Sequence, residues 1–102
     1  MSAVGRGTTP YNRFNVDIDL RNAAVIWLSY KQGSKIVIDK FKEDLEIEEN
    51  RVTVHLTQKE TLALKDKLGL RIQIRARFPD GSAVKSTIID TTASEVLKDG
   101  VI

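Results

Sequence analysis

The sequence predicts an all-β protein that folds as a single domain. Apolar and polar residues alternate with a period of two along most of the chain, which is typical of strands with one buried face. Turn-forming residues separate the alternating segments, and only one segment opens with a helix capping box. The length of 102 residues is that of one domain with one core.

Five strands are predicted in the first half of the chain. They span residues 14–20, 24–30, 35–41, 45–48 and 52–56. The segment 24–30 is apolar on both faces, which indicates a central strand that is covered on both sides or that carries an interface. Trp27 in this segment is a candidate core anchor. Gly33 and Asn50 suit the turns between neighbouring strands.

One helix is predicted where the hydrophobic period changes. Thr57 and Glu60 match the capping box S/T-x-x-E, in which a Thr hydroxyl and a Glu carboxylate satisfy the free amides of a helix start. Gly69 is the expected end of the helix. The helix therefore has two to three turns at most.

The second half of the chain contains the clearest strand, residues 70–78, in which apolar residues alternate strictly with polar and basic ones. Asp80 and Gly81 form a strong hairpin signal, and residues 83–89 are the expected return strand. Ser94 is a candidate cap for a last short helix over residues 95–98.

About seven strands at this spacing predict an antiparallel β-sandwich of immunoglobulin-like architecture. The Cys–Trp–Cys pattern of antibody-type domains is absent because the chain has no cysteine. We expect the sandwich to occupy residues 11–102. Residues 1–10 are small and polar without an apolar anchor, which predicts a flexible N-terminal arm.

The composition argues against an enzyme. The chain has no cysteine and one histidine, so disulfides and cysteine-based metal sites are impossible. His55 falls on the polar face of a strand, where a surface role is favoured over that of a base or ligand. Asp17 and Asp19 supply too few of the about six oxygen ligands that a hard cation needs. We therefore expect no catalytic residue, cofactor or metal.

Charge is separated along the chain although the net charge is only +2, from 16 basic and 14 acidic side chains. The acidic segment comprises Glu43, Asp44, Glu46 and Glu48. A glycosidase-type carboxylate pair needs one acid in an apolar pocket, whereas these residues fall in a short polar stretch. Solvated edge charge, which blocks stray strand pairing, is the favoured interpretation.

A basic face is predicted on the strand 70–78. It comprises Arg71, Gln73, Arg75 and Arg77, and Lys85 extends it across the hairpin. Three interpretations remain open: a solvated or protein-contact face, a polyanion surface, and a partner for the acidic segment within the molecule or on a neighbour. Binders of single-stranded nucleic acid interleave aromatic with basic side chains, and we expect no aromatic residue on this face. Nucleic acid is therefore disfavoured.

No membrane association is predicted. The longest apolar run, residues 23–28, is far shorter than the roughly 20 residues that span a bilayer. The first seven residues lack the apolar core of a signal peptide. The absence of cysteine fits a reducing compartment.

Four segments carry a family resemblance: RGTTP at 6–10, LTQKETL at 56–62, IQIR at 72–75 and LKDGVI at 97–102. They resemble small phage and prophage proteins of Gram-positive bacteria that are associated with tail or baseplate genes. The resemblance implies a non-enzymatic structural or accessory role, in the virion or the host cytoplasm, through contacts with tail or baseplate proteins or self-association. The alternatives are a nucleic-acid-binding or regulatory module and a carbohydrate-binding module with Trp27 or Tyr30 as its platform.

Overall fold

The structure, a computed structural model, describes residues 1–102 as nine strands in two sheets that share one hydrophobic core. Strands account for 48% of the residues and helices for 8%, which confirms the all-β class. The two sheets curl around the core as a half-barrel. The core contains 18 buried hydrophobic residues drawn from both sheets and from the segments between them.

The larger sheet contains six strands. They are β1 (Val4–Gly5), β3 (Val25–Gln32), β4 (Lys35–Phe41), β7 (Gly69–Arg77), β8 (Ala83–Lys85) and β9 (Ile89–Ser94). The order is β1-β9-β7-β3-β4, and β8 also pairs with β7. All pairs are antiparallel except β1 with β9, which is parallel. The long strands β3 and β7 therefore lie at the centre of the sheet, each with its two sides paired.

The smaller sheet contains β2 (Tyr11–Asn15), β5 (Leu45–Glu48) and β6 (Arg51–His55), in the antiparallel order β2-β6-β5. Its inner face meets the inner face of the larger sheet. Phe14 of β2 lies edge-on to Tyr30 of β3, with ring centroids 6.4 Å apart and an interplanar angle of 74°. Edge-to-face packing is a preferred aromatic arrangement, and here it joins the two sheets across the core.

Helix α1 (Gln58–Leu62) begins at the predicted cap but is shorter than predicted. The Glu60 amide donates to the Thr57 hydroxyl at 3.1 Å, and the Thr57 amide donates to the Glu60 carboxylate at 2.9 Å, which confirms the capping box. The helix stops early because Gln32 binds the backbone that would continue it. The Lys65 amide donates to the Gln32 side-chain oxygen at 2.8 Å, and the Gln32 amide donates to the Lys65 carbonyl at 2.7 Å. Neither α1 nor the single 3₁₀ turn, Lys42–Asp44, has the length and apolar character needed to cross a membrane.

The N-terminal segment is anchored, which corrects the prediction of a flexible arm over residues 1–10. Val4 is buried in the core with 2% of its surface exposed, and β1 pairs with β9 through Val4 and Ala93. The Arg6 guanidinium donates one hydrogen bond to the Leu62 carbonyl at 2.9 Å and forms an ion pair with Asp99 at 3.0 Å. A single buried valine has no alternation around it, so the sequence pattern carried no signal for this strand.

The return strand after the hairpin is divided into β8 and β9, and the predicted last helix is absent. Ser86 interrupts the line between β8 and β9, since its hydroxyl accepts the Ile74 amide at 3.0 Å. Strand β9 then runs to Ser94, which pairs with Gly5, and no helix follows over residues 95–98. The two strands β1 and β9 account for the difference between nine strands and the predicted count of about seven.

Trp27 is not a core anchor, which corrects another prediction. Its side chain is 48% exposed, whereas its β3 neighbours Ile26 and Leu28 are fully buried. Successive side chains of a strand point to opposite faces, and the face that carries Ile26, Leu28 and Tyr30 meets the smaller sheet. Trp27 therefore points away from the core.

Candidate interaction surface

The outer surface of the larger sheet carries the candidate site. Its members point away from the core on β3, β4, β7 and β8 or lie in the adjoining loop, and we call this surface the Trp27 face. It comprises Trp27, Lys31, Ile36, Phe41, Arg71, Gln73, Arg75, Arg77, Lys85 and Ile88. The strand register sets Trp27 between Phe41 of β4 and Arg75 of β7.

The five residues of the predicted basic face lie together on the Trp27 face. Three of them, Arg71, Arg75 and Arg77, are exposed on β7. Lys85 pairs with Arg75 across the hairpin. Gln73 donates to the Ser86 carbonyl at 3.0 Å, which ties the middle of the row to the loop between β8 and β9.

Trp27 lies at the centre of this surface between two depressions. One, of about 180 Å³, is lined by Val25, Arg77 and Ala83 together with Trp27. The other, of about 350 Å³, lies on the opposite side and is lined in part by Ile36 and Ile88. The Trp27 face is therefore open, and the Trp27 indole stands between the two depressions.

The Arg75 guanidinium lies over the Trp27 ring, with its central carbon 5.5 Å from the ring centroid. A cation at this distance is attracted to the negative face of the indole, and the contact holds the guanidinium over the ring. Arg71 has one acidic neighbour, Asp90, at 4.0 Å. Arg75 and Arg77 form no ion pair, so most of the positive charge on the face is not neutralised within the molecule.

The apolar side chains on this face were not predicted from the sequence, which indicated no aromatic residue there. Ten large hydrophobic side chains of the chain are exposed, and Trp27, Ile36, Phe41 and Ile88 are four of them. The signal lay in segment 24–30, whose two apolar faces allowed an interface. Which face is the outer one depends on the pairing of β3 with β7, and the local sequence does not show that pairing.

The acidic segment lies elsewhere, on the smaller sheet and at its edge. The Asp44 carboxylate accepts the Phe41 amide at 2.9 Å, and Glu48 lies 3.8 Å from Arg51 on the neighbouring strand. Glu46 pairs in register with Thr53. No ion pair joins these residues to the arginines of the Trp27 face, so the expected pairing within one molecule is not observed.

His55 is exposed on the outer surface of the smaller sheet, where it stacks on Tyr11. The ring centroids are 4.3 Å apart and the planes differ by 6°. Asp17 and Asp19 were the two candidate cation ligands. Asp19 forms an ion pair with Arg21 at 2.6 Å, and its hydrogen bonds with Arg21 lower the pKa of Asp19 to about 2. The structure brings together no group of three or more His, Asp or Glu side chains that would suit a metal ion.

Polar contacts join the larger sheet to the smaller sheet and to α1. The Asn12 amide donates to the Tyr30 hydroxyl at 2.6 Å, and burial raises the pKa of Tyr30 to about 12. Lys40 of β4 contacts Glu60 at 2.9 Å. Burial favours a higher pKa for Glu60, but the hydrogen bonds from Lys40 and Thr57 outweigh it and lower the pKa. The ionised Glu60 carboxylate therefore caps the helix start and ties it to β4.

No protein-family model, curated protein or solved structure matches this chain. The fold and its surfaces define an all-β protein whose most distinctive feature is the Trp27 face.

Proposed function

We propose that this chain is a non-enzymatic phage or prophage protein that builds or decorates a tail or baseplate through protein–protein contacts. The proposed location is the virion or the host cytoplasm. One observation carries the proposal: four of the ten exposed large hydrophobic side chains, Trp27 among them, lie on the Trp27 face together with its arginines. Large contiguous apolar patches on a protein surface mark interaction sites.

The composition of the Trp27 face is that of a protein interface. Tryptophan and arginine are enriched among the residues that dominate binding energy, and such residues cluster near the centre of an interface. Trp27 occupies the centre here, with the Arg75 guanidinium held over its ring. Part of the conformational entropy of that long side chain is therefore lost before a partner binds, which favours association.

Two further features support the proposal. The resemblance of four segments to phage proteins near tail or baseplate genes supports the setting. The two sheets around one core support an immunoglobulin-like sandwich, the architecture that we propose for the domain. Sheet surfaces of such a scaffold present a rigid face to a partner.

Cosedimentation of the purified chain with tails of the phage that carries it tests this function. We expect the wild type to sediment with the tails. The double variant Trp27→Ala/Arg75→Ala should remain in the supernatant because it removes the centre of the Trp27 face. The control is Leu68→Ser, which removes an exposed apolar side chain of similar exposure, 43% against 48%, outside that face. A wild type that stays in the supernatant, or a double variant that sediments normally, would contradict the proposal.

Single-stranded nucleic acid is the second candidate, because the structure supplies the aromatic residues that the predicted basic face lacked. Bases stack on aromatic side chains in a positively charged groove. Trp27 lies beside the arginine row, and Phe41 lies on the far side of Trp27. A mobility shift with single-stranded DNA at several salt concentrations tests it. A shift that weakens with salt would favour this function, and no shift at low salt would remove it.

A carbohydrate-binding module retains one of its two candidate platforms. Tyr30 is fully buried and cannot serve as a platform, whereas Trp27 is exposed. A glycan array with wild type and Trp27→Ala tests this third function. Specific retention that depends on Trp27 would support it.

A further inference from the structure

We infer that the Trp27 face binds a second copy of this chain, on the outer surface and edge of its smaller sheet. We call that second surface the Glu46 surface. It comprises Tyr11, Arg13, Lys42, Glu43, Asp44, Glu46, Glu48, Arg51 and His55. The inference rests on the proposed function, in which the Trp27 face is a protein interface, and names its partner.

Charge favours this pairing. The outward side chains of the larger sheet include five bases, Lys31, Arg71, Arg75, Arg77 and Lys85, against two acids, Asp39 and Asp90, a balance of 5 − 2 = +3. The Glu46 surface has four acids against three bases, Arg13, Lys42 and Arg51, a balance of 3 − 4 = −1. Opposite potentials across an interface speed encounter and fix orientation.

The same charges argue against pairing of two Trp27 faces. A twofold interface brings identical patches together, so the arginine row of one copy would lie against the arginine row of the other. Like charges that face each other across an interface cost several kcal/mol, by order of magnitude. An acidic partner surface is required, and the chain carries one of its own.

Apolar groups on the two surfaces also match. Tyr11 is 65% exposed and lies flat against His55, which gives the Glu46 surface an aromatic element of its own. Offset stacking or edge contact between this pair and Trp27 or Phe41 would remove apolar area from water on both copies. The acids of the Glu46 surface would then face the free guanidiniums of Arg75 and Arg77.

The geometry makes the contact head-to-tail. The two sheets share one core, so their outward strand side chains point away from each other, while Glu43 and Asp44 lie on the turn that joins β4 to β5. Each copy offers one surface of each kind. A contact between two different patches generates a ring if the rotation closes and an open filament if it does not. A tail or baseplate element built from repeated copies uses such a contact.

Complementary charge reversal tests the inference. Variant A carries Arg75→Glu and Arg77→Glu, and variant B carries Glu46→Arg and Glu48→Arg; all four side chains are exposed in the free chain. Sedimentation velocity is measured for the wild type, for each variant and for an equimolar mixture, with circular dichroism as the check on folding. We expect the wild type to associate, with affinity that falls as salt rises. Each variant alone should associate at least tenfold more weakly.

The mixture is the decisive arm. Variant A retains an intact Glu46 surface and a reversed Trp27 face, and variant B has the opposite combination. Two copies of A repel each other, as do two copies of B. The intact Glu46 surface of A can bind the intact Trp27 face of B, and the two reversed surfaces attract each other, so the mixture should form mixed oligomers that neither variant forms alone. A control variant carries Lys59→Glu and Lys67→Glu, which change the net charge as variant A does but lie outside both surfaces. It should associate like the wild type.

Three results would overturn the inference: a wild type that is monomeric at all concentrations, association that variant A leaves unchanged, or a mixture that stays monomeric. A monomeric wild type that still sediments with tails through Trp27 would overturn this inference and leave the proposed function standing. A chain that self-associates but does not sediment with tails would support this inference and overturn the proposed function. A monomeric wild type that shifts single-stranded DNA would identify nucleic acid as the occupant.

Discussion

Both faces of β3 carry large apolar side chains, but the two faces have different surroundings. The inner face presents Ile26, Leu28 and Tyr30, all with 0% exposure, and the outer face presents Trp27 with 48% exposure. The smaller sheet covers the first face, whereas no sheet or helix covers the second, on which only the Arg75 side chain lies over the Trp27 ring. An apolar strand face is therefore part of the core or part of an interface according to what lies against it.

Strand β7, the neighbour of β3, also has a buried inner face and an exposed outer face, and its own sequence predicts which is which. Its inner residues Leu70, Ile72 and Ile74 are fully buried, and its outer residues include exposed arginines. The two strands together show how an interface with mixed character arises. One strand supplies the charge and the other supplies the apolar centre.

The largest expected effect comes from the inner face. Leu28→Ala should lower the free energy of unfolding by about 2–5 kcal/mol, because the truncation leaves a cavity in the core. Urea denaturation monitored by circular dichroism measures it. A loss below about 1 kcal/mol would mean that the inner face is not packed as described.

The next effect concerns the hydrogen bond between Tyr30 and Asn12 behind the inner face. Tyr30→Phe should cost about 1–3 kcal/mol, since the buried Asn12 amide loses its acceptor. Replacing Asn12 by Leu as well should recover part of this loss. A double-mutant cycle measures the coupling, and additive losses would show that the bond contributes nothing.

A smaller effect is expected at the helix start. Glu60→Ala should cost about 1 kcal/mol at pH 7, since it removes the capping carboxylate and the contact with Lys40. The pKa of Glu60 is lowered in the folded chain. Its ionisation therefore stabilises the fold above the ordinary glutamate pKa of about 4.3 and ceases to do so as pH falls through the lower folded value. A difference between wild type and variant that does not shrink in acid would refute this account of Glu60.

The smallest stability effect belongs to the outer face. Trp27→Ala should cost less than about 1 kcal/mol, the size of an exposed cation–π contact. The same urea titration used for Leu28→Ala measures it. Similar losses for Trp27→Ala and Leu28→Ala would remove the distinction between the two faces of β3.

Local patterns predicted the features that local forces determine. The alternation of residues 70–78 predicted β7 and its arginine row, and the capping box predicted the start of α1. The Asp-Gly signal predicted the turn at Gly81, which has a φ of 89° that favours glycine. Each of these features depends on neighbours within a few residues.

The features that the sequence did not predict depend on distant partners. Gln32 ends α1 from 33 residues away, and Val4 of β1 finds its place beside Ala93. The position of Trp27 depends on the same kind of contact, because the pairing with Arg75 decides which face of β3 is outer. The charge of the candidate site was therefore predictable, and its aromatic centre was not.

Trp27 itself offers the most direct measurement, since it is the only tryptophan of the chain. Acrylamide quenching of its fluorescence is followed at rising chain concentration in low salt, and separately with purified tails. If the outer face of the larger sheet is a working interface, quenching is strong in the dilute chain. It falls as copies associate or as tails are added, and the emission shifts to shorter wavelength. Quenching that stays unchanged in both titrations would contradict this role for the Trp27 face.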